Sequence, residues 1–73
     1  MPITKANVHD VVSYHAPDAD QVADIGFIRT DAETLINTIL DVCPPCADQQ
    51  AAIRKVREAM MTANAAIVLK GAV

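Results

Sequence analysis

Two adjacent prolines, Pro44 and Pro45, divide this 73-residue chain. Each lacks a backbone N–H and disfavours helical geometry in the residue before it, so a helix arriving from the N-terminal side has to end near Val42 and a new one can start only just beyond. The stretch Val42-Cys43-Pro44-Pro45-Cys46 is a hinge. Both sides carry apolar residues at helical spacing with no internal proline. The expected fold is therefore all-α, an antiparallel two-helix hairpin with a short N-terminal segment, within one domain over residues 1–73. The expected parts are a leading segment 1–17, a helix 18–42, a Pro-Pro hinge 43–47 and a helix 48–70.

A chain this short buries only about 60% of the surface its unfolded form exposes. It has one Phe, one Tyr and no Trp, yet 52% of its residues are apolar, so there is apolar surface to bury and little bulk to bury it against. Small domains resolve that shortage with disulfides, metal or self-association. Two cysteines cannot build a secreted-type disulfide framework, no stretch reads as a signal peptide, and the longest unbroken apolar run, Ala65 to Leu69, is far short of the roughly 20 residues that span a bilayer. The reading is a cytoplasmic protein with no membrane contact. A net charge of −3 argues against long nucleic acid, whose affinity comes largely from neutralised phosphates, but leaves room for a small anion held by local cations.

In the leading segment, Val8, Val11 and Val12 fall at i, i+3 and i+4 and suit one short helical turn capped by Thr4. Three β-branched residues suit an extended arm as well. Pro17 then forces Ala16 to be extended, and Asp18 with Gln21 forms a capping-box pair, so the first long helix is expected to begin at Asp18. Tyr14 and His15 sit just outside that N-terminus, where unpaired N–H groups and the positive dipole end favour anions. The plainer reading packs the Tyr14 ring on the hairpin and leaves His15 solvated.

Ile25, Ile28, Ala32, Leu35, Ile39 and Val42 recur at spacings of three and four and define the expected seam of the first helix. Val22, Phe27, Ile36, Leu40 and Cys43 flank it, so the apolar face is wider than one partner helix covers. Gly26, costly in mid-helix by roughly 1 kcal/mol against alanine, implies close approach by another element or a ligand. Arg29 lies beside the seam near Asp31 and Glu33, where the plain reading is a solvated ion pair of little energetic weight. Past the hinge, Ile53, Val56, Met60, Ala63 and Ile67 form the facing seam, Ala52, Ala59 and Ala66 form a strip of small residues, and Arg54 stands in i,i+4 register with Glu58. Lys70 and Gly71 close the second helix. Rods of about 30 Å touching along one seam leave their other strips wet, so a helical homo-oligomer is expected.

Cys43 and Cys46 have the spacing of redox and zinc sites. A thioredoxin-like motif needs a βαβ setting, and zinc needs four ligands, for which only His9 and His15 remain, at the opposite pole of a hairpin. A structural turn with a packed cysteine is the simpler reading, with no metal. No serine or cysteine has a local base, there is no glycine-rich phosphate loop, and no H-E-x-x-H occurs. Asp18 and Asp20 are capping residues of a first turn and Met60-Met61 is core. The chain is not expected to be an enzyme and requires no cofactor.

Read together, Tyr14-His15-x-Pro17, Gln21, Ile28-Arg29, Leu35, Cys43-Pro44, Arg57-Glu58-Ala59-Met60 and Ala63-Asn64-Ala65-Ala66-Ile67 resemble the anti-CBASS protein 2 type of phage cyclic-nucleotide sponges, with the related anti-Thoeris sponges. The similarity runs from Ser13 to Lys70, and it rests on order and spacing more than on any one motif. The resemblance implies a non-catalytic protein of the infected host's cytoplasm that binds cyclic oligonucleotide second messengers, cyclic dinucleotides such as 3′,3′-cGAMP, and so blocks bacterial anti-phage signalling. It implies a hexamer of hairpins with pockets between protomers, in which Tyr14 stacks on a nucleobase and Arg29 contacts the phosphodiester ring, with His15 beside Tyr14. Members of the family also hold a second pocket type for cyclic trinucleotides or cyclic ADP-ribose isomers. They carry tryptophan and arginine where this chain has Thr62 and Leu69, which leaves Lys70 as the candidate for the missing cation. The alternative from a different class is a helical assembly or adaptor protein that docks a protein partner through its apolar strips.

Overall fold

The computed structural model covers residues 1–73 and contains three helices, α1 (Val8–Val12), α2 (Ala19–Val42) and α3 (Ala47–Val68). The expected all-α hairpin is present, with α2 and α3 packed against each other and α1 packed on neither.

Each end of the hairpin follows from local chemistry. Asp18 is the N-cap of α2: its side chain accepts the Gln21 N–H at 2.9 Å while Gln21 Oε1 accepts the Asp18 N–H at 3.0 Å, the reciprocal box anticipated from the sequence. At the hinge, Cys43 is the extended C-cap of α2 and Cys46 the extended N-cap of α3, where its sulfur accepts the Gln49 N–H at 3.4 Å. Both cysteines are free. The second helix stops at Val68, two residues before the expected end, because the chain turns there into a Schellman close. Gly71 N–H donates to the Ala66 carbonyl at 3.1 Å and Lys70 N–H to the Ile67 carbonyl at 3.2 Å. Lys70 itself occupies the left-handed position at φ 55°, with Gly71 following at φ 72°.

In the leading segment the helical reading holds, Val8, Val11 and Val12 lying in α1, while the extended alternative for the three valines does not; the turn packs on neither long helix. Thr4 contributes its carbonyl rather than a side-chain cap, accepting the N–H groups of Asn7 at 3.2 Å and Val8 at 2.9 Å. The Thr4 N–H in turn donates to Asn7 Oδ1 at 2.7 Å.

The seam differs from the heptad reading. Ile25, Ile28 and Ala32 of α2 are half-buried and repeat eleven residues later as Ile36, Ile39 and Cys43, whereas Leu35 and Val42 are exposed. A straight helix drifts about 20° per heptad away from a seven-residue repeat, so over this length the contact line moves onto the neighbouring residues. In α3, Gln49, Ile53 and Val56 likewise recur as Met60, Asn64 and Ile67.

No apolar residue is fully buried, and the one buried residue is Gln49. Its Nε2 donates to the Cys43 carbonyl at 3.2 Å, so the tightest place in the molecule is a polar tie across the hinge. Asn64 leaves its Oδ1 buried without a partner. The chain exposes 5543 Å², where a compact monomer of its mass exposes about 4,400 Å². Its radius of gyration is 15.1 Å, where about 11 Å is usual for this length.

Candidate functional site

Tyr14, His15 and Lys70 share the open pole of the hairpin, the end away from the prolines. They are brought there because Gln21 Nε2, one turn into α2, donates to the Ile67 carbonyl at 3.0 Å, which holds the start of α2 beside the end of α3. Between α1 and α2 the chain is pinned by His15, whose Nε2 bonds the Asp10 carbonyl at 2.6 Å and lies 3.9 Å from the Asp10 carboxylate. A carbonyl only accepts, so this bond places the imidazole proton on Nε2. Ser13 Oγ donates to the His9 carbonyl one residue before Tyr14.

Tyr14 is 88% exposed. The plain expectation that its ring packs on the hairpin is overturned, because the residues on either side of it are tied to α1 and the ring is left projecting from the link. An aromatic face presented in this way is available for stacking. His15, expected to be solvated on the plain reading, is half-buried and bonded.

Arg29 stands apart from this cluster. It lies eleven residues along α2 from the Asp18 cap, roughly 16 Å at 1.5 Å per residue. It is exposed, and neither Asp31 nor Glu33 lies within 4 Å of it, the one basic side chain that close to a carboxylate being His15, beside Asp10. The same holds for Arg54 and Glu58. One turn before Arg29, Gly26 has no atom within 4 Å of where a Cβ would sit. Nothing else in the chain uses the space that this glycine leaves.

Within one chain Tyr14 and His15 precede the start of α2 and Lys70 follows the end of α3, while Arg29 lies well inside α2. None of the four lines a cavity. The hairpin's own concavity, of about 280 Å³, lies on one side of the seam between Ile28, Ala32 and Leu35 of α2 and Val56, Ala59 and Met60 of α3. Seven of its eight lining residues are apolar and the eighth is Asp31. Small-molecule pockets start at about 300 Å³, and a carboxylate at the rim repels a phosphodiester, so this groove suits an aliphatic group better than a nucleotide. Six of its residues, Ile28, Ala32, Leu35, Val56, Met60 and Ala63, belong to the two seams read from the sequence, and Ala59 to the strip of small residues beside them.

No three His, Cys, Asp or Glu side chains come together as a metal site, and the two hinge cysteines act as caps. No helix is long and apolar enough to cross a membrane. No curated protein and no solved structure matches the chain. The family described as "Acb2/Tad1, hairpin domain" does match, over residues 4–68, which takes in the arm, the hinge and both long helices. On that span the chain belongs to the Acb2/Tad1 hairpin domain family.

Proposed function

We propose that this protein sequesters cyclic oligonucleotide second messengers, cyclic dinucleotides such as 3′,3′-cGAMP among them, without turning them over, and so blocks bacterial anti-phage signalling. The observation that carries the reading is Tyr14, an aromatic ring held outside the hairpin by bonded neighbours in a chain of this family. An aromatic face contributes about 1–3 kcal/mol per stacked base. Arg29, free of any carboxylate, supplies a planar fork for the phosphodiester. Bare backbone at Gly26 allows close approach beside it.

Arg29 lies roughly 16 Å along α2 from the Asp18 cap and Tyr14 precedes that cap, which favours a cleft formed between copies, in a hexamer on the family's pattern. His15 fixes the link that presents Tyr14, and Lys70 supports the anion from the end of α3. A chain with no buried apolar residue supports the same reading, since its flanks dry only against neighbours. Cyclic trinucleotides and cyclic ADP-ribose isomers belong in the test panel as ligands of a second pocket type.

The test is mass spectrometry of small molecules released from purified, heat-denatured protein after incubation with a cyclic-nucleotide panel. Intact ligand recovered in proportion to protein supports sequestration. Conversion of the ligand, or a stoichiometric protein partner with no small molecule retained, points instead to an enzyme or to an adaptor.

A further inference from the structure

The arm before α2 is unpartnered, and the groove on the hairpin is unfilled. Ile3, Lys5 and Val8 line one concave patch of the arm, and Ile3 and Val8 are exposed. Two aliphatic side chains with an ammonium between them match the α2–α3 groove, which is apolar throughout except for Asp31 at its rim.

The arm does not reach the groove of its own hairpin. His15 and Ser13 hold α1 beyond the open pole, and Asp31 lies thirteen residues along α2 from its cap, roughly 20 Å away. We infer that the arm of one copy docks in the α2–α3 groove of a second copy, with Ile3 and Val8 against Leu35 and Ala59 and with Lys5 on Asp31. This contact goes beyond the ligand reading and stands without it.

Charge reversal tests it in the full-length chain. Lys5→Glu places two carboxylates together, and Asp31→Lys places two ammonium groups together. Each variant alone is expected to sediment with at least tenfold weaker self-association than the wild type, with helicity by circular dichroism unchanged because both side chains are exposed. An equimolar mixture is expected to recover assembly. The carboxylate introduced at position 5 of one variant then meets the ammonium introduced at position 31 of the other, and the unchanged Lys5 and Asp31 meet in the reverse direction. Recovery in the mixture is possible only for a contact between copies. A monomeric wild type, single variants that assemble normally, or a mixture that stays apart would each overturn the inference. Binding of a cyclic nucleotide by variants that no longer associate would leave the arm contact standing and remove the inter-copy cleft instead.

Discussion

Gln21 and Ile67, 46 residues apart in sequence, are joined by a hydrogen bond of 3.0 Å from the glutamine Nε2 to the isoleucine carbonyl. The same Gln21 side chain completes the capping box with Asp18 through its Oε1. One residue therefore both caps the start of α2 and ties it to the end of α3.

That double role separates by substitution. Gln21→Ala removes both bonds and is expected to cost about 1–3 kcal/mol, at about 0.5–1.5 for each neutral hydrogen bond. Gln21→Glu keeps the acceptor for the Asp18 N–H but has no donor for Ile67, so its cost should be about half as large. Thermal unfolding at fixed protein concentration reads the difference: a glutamate variant as stable as the wild type would show that the Ile67 tie carries no weight, and equal losses would show that the Asp18 bond carries none.

Gln49 performs the matching task at the hinge, with Nε2 on the Cys43 carbonyl. Gln49→Leu leaves that carbonyl unpaired in the most enclosed part of the molecule, at an expected cost of about 1–3 kcal/mol. In a domain this small each ~1 kcal/mol lowers Tm by about 4–8 °C. A leucine variant as stable as the wild type would mean that packing at the hinge matters more than the bond.

Gly26 separates stability from recognition. An alanine there meets open space, so Gly26→Ala should strengthen α2 by about 1 kcal/mol through helix propensity alone. The same methyl is expected to weaken ligand binding beside Arg29. A rise in Tm with unchanged affinity would show that nothing approaches the bare backbone.

Lys70 holds a backbone position that suits glycine. A left-handed conformation costs a side-chain-bearing residue about 1–2 kcal/mol, so Lys70→Gly should raise Tm by several degrees. Affinity for a cyclic dinucleotide should fall in the same variant if its ammonium faces the anion. Loss of stability would show instead that the lysine stem packs on the helix end.

How legible this was in the sequence depended on whether the deciding physics was local. Proline sterics and the Asp18–Gln21 box act within a few residues, so the hinge and the start of α2 could be read directly. The seam could not, because spacings of seven and eleven share their first members, and only the facing helix selects Ile36 and Cys43 over Leu35 and Val42. Gln49 reads from the sequence only as a polar first-turn residue, because polarity argues for the surface and its burial depends on a carbonyl six residues away. At the candidate site, the roles of Tyr14 and Arg29 came from the family resemblance, since residue type and spacing alone read Tyr14 as packed and Arg29 as an ion pair; the free ring of Tyr14 and the unpaired Arg29 are properties of the folded chain.

The most direct measurement is calorimetric titration of the wild type, Tyr14→Ala and Arg29→Ala with 3′,3′-cGAMP. Both side chains are exposed and without protein partners, so neither substitution should alter helicity. The account predicts submicromolar binding by the wild type, with Tyr14→Ala weaker by the about 1–3 kcal/mol of a stacked base, or about 5- to 150-fold in Kd, and Arg29→Ala weaker by a similar factor. A flat titration across cyclic dinucleotides, cyclic trinucleotides and cyclic ADP-ribose isomers, or tight binding that both variants retain, would contradict it.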